Sequence, residues 1–179
     1  MKYYTTLDRK LILGEDSSAW LKVENHTVKS PEGNIIDNWQ WVITPDYVNV
    51  VAVTDNHTFL CFRQVKYGTG DTLAIVGGYV EPDELPLKTA QRELREETGY
   101  ESEKWLNLGN FCVDPNRGVA IGHLFLACSV KKVITPINDD LEEQQLVHLT
   151  RTQLEEALMA GEFKALSWTT SIALALRYL

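Results

Sequence analysis

Five glutamates fall between Gly78 and Tyr100, in GYVEPDELPLKTAQRELREETGY: Glu81, Glu84, Glu93, Glu96 and Glu97, with Glu101 just beyond. Carboxylates packed this densely repel one another. A divalent cation is the most economical compensator, because hard cations such as magnesium take oxygen ligands. Glu93, Glu96 and Glu97 stand at i,i+3 and i,i+4 spacing, which places them on one face of a helix. Like charges at those spacings cost only a few tenths of a kcal/mol each. A solvated surface helix would tolerate that, so spacing alone leaves both readings open.

The helix beneath them carries its own signals. Asp83 or Glu84 is placed to cap it, Pro86 fits its first turn, and Gly99 stands where a helix ends in a left-handed residue. Leu87, Ala90, Leu94 and Thr98 recur at spacings of three and four and predict a buried stripe. Upstream, Tyr47–Val53 and Phe59–Val65 read as strands, and Leu73–Val76 as a short strand ending at Gly77-Gly78, where the backbone can approach a ligand closely. Earlier still, Trp20–Ile43 reads as two strands paired across the turn Ser30-Pro31-Glu32-Gly33-Asn34. Trp20, Trp39 and Trp41 on this hairpin either cover a small sheet or stack on a planar ligand.

Downstream, Trp105–Val113 and Val119–Val133 read as strands around the loop Asp114–Gly118, followed by an acidic loop over Ile134–Glu143 and a short strand at Leu146–Leu149. Thr152-Gln153-Leu154-Glu155 matches a capping box that opens a helix to about Ala160, and Ser167 or Thr169 is expected to cap a last helix. Strands, helix, strands and two helices, in that order, predict a mixed sheet packed between helices.

A chain of 179 residues suits one domain, or one with a small appendage, and can bury a core without disulfides. A formal charge of -8 and a pI near 5.0 argue against a nucleic-acid groove or a polybasic membrane surface. Small anionic substrates remain possible where a cation supplies positive charge. Cys61, Cys112 and Cys128 sit singly in apolar runs without CxxC spacing, and read as buried, reduced thiols of a cytoplasmic protein. The N-terminus lacks an apolar h-region and no stretch approaches the roughly 18 apolar residues of a membrane span.

Gly78, Glu84, Arg92, Glu93, Leu94, Glu96, Glu97, Gly99 and Tyr100 together fit one pattern: Gly, five residues, Glu, seven residues, then Arg-Glu-aliphatic-any-Glu-Glu-any-Gly-apolar. On these residues the chain resembles the Nudix hydrolases, with aromatic Tyr100 the loosest match. Phe62–Gly68 (FRQVKYG), Pro115 beyond the box, Glu142-Glu143 and the tryptophan-bearing hairpin resemble the ADP-ribose pyrophosphatase and nucleoside-diphosphate-sugar hydrolase subgroup. Val76 departs from that subgroup, which usually has proline there, and Pro82-Asp83 replaces a more usual glycine before Glu84.

The resemblance implies an α+β fold, the α/β/α Nudix sandwich. Residues 46–179 would form the catalytic domain around the box at 78–100, and residues 1–45 a small N-terminal β-hairpin subdomain for dimerisation and base binding. Mg2+ or Mn2+ would be held by Glu93 and Glu97, with Glu96 assisting and the Gly77 carbonyl completing the set. Arg92 would orient these carboxylates and pair with Glu84. The general base is implied to be a box glutamate such as Glu96, or Glu142 or Glu143 on the late loop, although those two also fit a solvated acidic run.

Arg63 would hold a diphosphate oxygen, and Trp20 and Trp39 would stack on the base across a homodimer, with the Pro115 loop completing the substrate wall. The implied reaction is hydrolysis of a nucleotide-sugar diphosphate, ADP-ribose to AMP and ribose 5-phosphate being the first candidate. The alternatives are a (d)NTP or dinucleoside-polyphosphate hydrolase and a noncatalytic ADP-ribose-sensing domain. The implied partner is a small-molecule nucleotide sugar, with no nucleic acid and no membrane. His26, His57, His123 and His148 are scattered, and none is assigned to catalysis.

Overall fold

Three strands open the chain, β1 (Thr5–Leu13), β2 (Lys22–Lys29) and β3 (Ile35–Ile43), and pair antiparallel in sequence order. The structure, a computed structural model, describes residues 3–14, 20–136 and 144–179. Strand β1 is one more than the expected hairpin. Its residues, TTLDRKLIL, are almost all exposed, so no buried face marks it in the sequence. The turn between β2 and β3 closes through Ser30 and Asn34, with Gly33 at φ 98°.

The chain divides into two compact units, and neither is one run of sequence: Met1–Asp46 joins Phe111–Ile121, and Tyr47–Asn110 joins Gly122–Leu179. Within the first unit, Gly118 and Val119 lie parallel to Val42 and Ile43 of β3. Gly118 adopts φ 77°, and a Cβ there would fall 2.3 Å from the Trp41 indole, so both conformation and space call for glycine.

In the second unit, β4 (Tyr47–Thr54) runs antiparallel to β5 (Phe59–Lys66), and β5 to β6 (Gly70–Ala74). Then come β7 (Val76–Tyr79), helix α1 (Pro86–Glu93) and β8 (Tyr100–Glu101). The remaining elements are β9 (Lys104–Asp114), β10 (Gly118–Lys132), β11 (Gln144–Leu149), α2 (Arg151–Met159) and α3 (Leu166–Ala175). Residues 122–130 of β10 lie parallel to β4 while β5, β7 and β11 pair antiparallel with their neighbours, so the sheet is mixed.

Alternation along β4 explains the layers. Val48, Val50 and Ala52 face a core that includes Ala90 and Leu94 of the box segment, whereas Val51 and Val53 face Leu154, Ala157, Ile172 and Ala175 of α2 and α3. Helices therefore cover both faces of this sheet, which is the expected α/β/α sandwich. Leu94 is fully buried, and Leu94→Ala is expected to cost about 2–5 kcal/mol.

The box helix begins at Pro86 after Leu85, without a side-chain cap. Glu84 does not cap it because its carboxylate is taken by Arg92 and Thr89. The helix does not end as a simple α-turn: Leu94–Thr98 form a wider π-helical turn, closed by Gly99 at φ 75°. There the Thr98 hydroxyl donates to the Leu94 carbonyl, a local bond that competes with the regular ladder. Ala90, Leu94 and Thr98 form the buried stripe, while Leu87 stays 38 % exposed.

Three further expectations need correction. The capping box of α2 is Thr150 with Gln153, two residues earlier than Thr152 with Glu155, because Thr150 is the residue in extended conformation ahead of the helix. Helix α3 starts at Leu166 behind Ala165, and the Thr169 hydroxyl instead bonds back to the Phe163 and Ala165 carbonyls. Of the three thiols only Cys61 is buried, its pKa pushed up to about 12 by burial, whereas Cys112 is exposed.

Candidate active site

Strand β4 pairs with β5 only through Ala52 and Val53. Its first half, Tyr47–Val50, pairs with β7, while Phe62–Lys66 of β5 pair with β6. The sheet therefore forks, and a cavity of about 300 Å³ opens there, lined among others by Asn49, Gln64, Lys66, Gly77, Glu97 and Trp168.

The two glycines sit within β7 rather than after a strand end, and each makes room for something. A Cβ on Gly78 would fall 2.0 Å from Glu93 Oε1, and one on Gly77 2.7 Å from both Asn49 Oδ1 and the Val48 carbonyl. The Gly77 amide donates to Glu97 Oε2 at 3.2 Å. Glu93 and Glu97 of the box thus reach the Gly77-Gly78 backbone from the α1 side.

Arg92 binds Glu93 together with Glu84 and Glu96. Its Nε and Nη2 donate to the two oxygens of Glu84 at 3.2 and 3.0 Å, and its Nη1 donates to Glu93 at 2.7 Å and Glu96 at 3.2 Å. Hydrogen bonding to Glu84 first, then the charge of Glu93, raises the Arg92 pKa further above its usual range, against the opposing effect of burial. In return the guanidinium holds the Glu84 carboxyl below the usual carboxylate range. One cation shared by three carboxylates, with Glu97 beyond, leaves a local excess of negative charge.

Glu96 is half exposed and lines a different cavity of about 510 Å³, on the other flank of the helix with Arg95, Ser102 and Trp105. That larger cavity is lined by Arg92 and Glu96 but not by Gly77, Gly78 or Glu97, which line the fork cavity. Among the described residues no group of three His, Cys, Asp or Glu side chains is arranged as a metal cage. Two carboxylates beside an open glycine backbone nevertheless fit a hard divalent cation, since magnesium binds through one or two carboxylates and keeps several waters.

A NUDIX domain model matches residues 43–169. The chain belongs to the Nudix family. It is 32 % identical over 136 residues to an ADP-ribose pyrophosphatase of Bacillus subtilis (strain 168), covering 75 % of this chain and 72 % of that protein. It is 30 % identical over 160 residues to a methanol dehydrogenase activator of Bacillus methanolicus, covering 89 % and 84 %. A solved ADP compounds hydrolase superposes with a TM-score of 0.82 over 100 % of this chain and 95 % of its own, at 18 % identity, which speaks to the fold alone.

As a Nudix hydrolase, the chain keeps its box residues close together and scatters the others. Arg63 lies on the face of β5 opposite Gln64, donating to Glu162 at 2.7 Å and Asp71 at 2.5 Å; the Glu162 bond is the main reason its pKa is raised. It does not line the fork cavity. Glu142 and Glu143 lie outside the described residues.

Trp39 and Pro115 belong to the first unit and meet in a cavity of about 400 Å³, with Tyr4, Arg9, His26 and Trp41 among its walls. Trp39 Nε1 donates to the Asn116 carbonyl at 2.7 Å, which ties the Pro115 loop to β3. Trp20 is 67 % exposed and stays outside this cavity. His26 stacks on Trp41 with ring centroids 5.7 Å apart and bonds Glu24 at 2.7 Å, so it is a wall residue.

Sequence reasoning missed Asn49, Gln64, Lys66 and Trp168 in the fork. A signal for three of them exists. Asn49 is a lone amide inside the apolar run YVNVVAV, and Gln64 and Lys66 are polar at every second position as β5 ends. Trp168 has no local signature.

Proposed function

We propose that this Nudix chain hydrolyses the diphosphate bond of a nucleoside diphosphate linked to a sugar, with ADP-ribose, giving AMP and ribose 5-phosphate, as the first substrate to test. The observation that carries the reading is the pair Glu93 and Glu97 held against Gly77-Gly78, with Glu97 and both glycines lining the fork cavity. The curated relative that acts on ADP-ribose supports the substrate class. In the reaction, a water oxygen bonds to one phosphorus, the bond from that phosphorus to the bridging oxygen breaks, and the water's proton passes to a carboxylate. Glu96, Glu142 and Glu143 are the candidates for that base.

Mg2+, with Mn2+ as the second choice, would be held by Glu93, Glu97 and the Gly77 carbonyl, with Glu96 assisting, and when bound supplies neutralising charge for the diphosphate. Arg92 keeps Glu84, Glu93 and Glu96 oriented through the bonds already described. Arg63 serves as a diphosphate contact only if it leaves Asp71 and Glu162. Trp39 and Pro115 offer a flat wall for a nucleobase, and Trp20 an exposed ring for the same purpose.

We also propose a cytoplasmic homodimer. Tyr3, Leu7, Ile12, Leu13, Trp20 and Ile35 leave apolar surface exposed on and beside the first unit's strands, and a second copy of the chain is the occupant that resemblance favours.

Incubating the full chain and Mg2+ or Mn2+ with ADP-ribose, GDP-mannose, dNTPs and dinucleoside polyphosphates tests the reaction. Preferred turnover of ADP-ribose or GDP-mannose is expected. Preference for dNTPs or dinucleoside polyphosphates would move the chain to that substrate class, and no turnover by folded protein would leave only a sensing domain. Light scattering at micromolar concentration tests the dimer.

A further inference from the structure

The fork cavity contains a buried donor that neither the family signature nor the reaction above uses. Asn49 lies in the middle of β4, among Val48, Val50 and Val51, and is only 3 % exposed. Its Nδ2 is buried and finds no hydrogen-bond partner among the described residues. Buried polar groups in folded proteins are nearly always paired, and an orphaned donor carries its full desolvation penalty. A leucine of similar size would pack in this strand without that penalty, so the amide calls for a reason outside the apo fold.

Position supplies one. Asn49 stands directly opposite Gly77 in the β4–β7 register, and its Oδ1 lies where a Gly77 side chain would begin. The absent side chain at Gly77 is what gives the Asn49 amide its space. Asn49 lines the same cavity as Glu97, Lys66 and Gln64, the last only 6 % exposed. An N–H donor cannot ligate a cation, which needs a lone pair. It suits an acceptor oxygen, and in a cavity also lined by Lys66 an anionic one.

We propose that Asn49 is a substrate-binding residue, its side-chain N–H donating to a phosphate oxygen of the substrate in the fork cavity. This rests on the diphosphate-hydrolase reading above and adds a residue that selects for a phosphoryl oxygen at that place. Asn49 thereby couples the glycine pair to the ligand: Gly77 shapes the amide's slot, and the amide reads what enters.

The test uses the full chain with Mg2+ and an ADP-ribose analogue whose bridging oxygen is replaced by methylene, titrated by calorimetry, alongside the Tm of each protein without ligand. Asn49→Leu should melt at the wild-type temperature or above, and bind the analogue roughly ten- to a hundredfold more weakly. Asn49→Asp, which sets an acceptor against an anion, should bind more weakly still, and Asn49→Ser, which keeps a donor, should retain part of the affinity. Analogue binding by Asn49→Leu within twofold of wild type would overturn the proposal, the donor then being satisfied by water. If Asn49→Leu fails to fold, wild-type affinity in Asn49→Asp overturns it equally. Wild-type protein that is folded yet binds no analogue would instead sink the diphosphate reading, and the Asn49 proposal with it.

Discussion

The fork cavity of the second unit and the aromatic cavity of the first are built by opposite means. In the fork the backbone does the shaping. Strands β4 and β5 part, two glycines remove side chains from β7, and the box segment brings Glu97 to the cavity and Glu93 against Gly78. The aromatic cavity is walled by large side chains, Tyr4, Trp39 and Trp41, with Pro115 brought in from far along the chain. The difference matches the two tasks proposed for them. Displacement at phosphorus tolerates little misplacement, so its groups belong on rigid backbone. Stacking on a planar ring tolerates sliding, so side chains from several strands suffice.

The largest blow to this contrast would come at Glu97. Glu97→Gln is expected to lower kcat/KM on ADP-ribose by roughly a thousandfold while leaving the circular dichroism spectrum unchanged. Activity within tenfold of wild type would take that carboxylate out of the chemistry.

Next is Gly78→Ala, whose Cβ would fall 2.0 Å from Glu93 Oε1 and force the carboxylate aside. A loss of roughly a hundredfold is expected. If the effect runs through Glu93, adding Gly78→Ala to Glu93→Gln should change little further, whereas additive losses would point to general damage.

Trp39→Ala probes the other cavity and should raise KM about tenfold with kcat within twofold, as for lost base stacking. A fall in kcat at constant KM would contradict a recognition role for these rings.

The smallest effect concerns acid stability. The Glu84 carboxyl is held below its usual range, first by hydrogen bonding to Arg92. A depressed folded-state pKa stabilises the fold above the unfolded value near 4.5, and that contribution disappears as pH falls through the folded value. Urea titrations below about pH 4.5 should therefore show wild type losing stability more steeply than Glu84→Gln. Parallel slopes would mean that the Arg92 contact does not couple to folding.

The contrast also explains what could be read from the sequence. The box was legible because its partners lie within one short stretch of chain, so Gly78, Glu84, Arg92, Glu93 and Glu97 keep a fixed register. The π-helical turn at Leu94–Thr98 was not, since Thr98 looks like any residue of the buried stripe until its hydroxyl takes the Leu94 carbonyl. Strand β1 escaped because it buries no face. Arg63 looked like a phosphate ligand because side-chain type is visible in sequence, while the ion pairs that occupy it, with Asp71 and Glu162, are tertiary. Trp39 and Pro115 share a cavity through a contact that spans 77 residues, from Trp39 to Asn116, and no local pattern encodes it.

The divided first unit has a consequence for biosynthesis. Strand β3 ends at Ile43, but its parallel neighbour is Gly118–Val119, and all of β4 to β9 lies between them in the chain. At roughly 5–20 residues per second, a ribosome delivers that neighbour on the order of ten seconds after β3 has emerged. During that interval Val42 and Ile43 of β3 lack this partner and leave an open edge, the feature most prone to unwanted pairing. This divided unit is thus completed only after the box has been made.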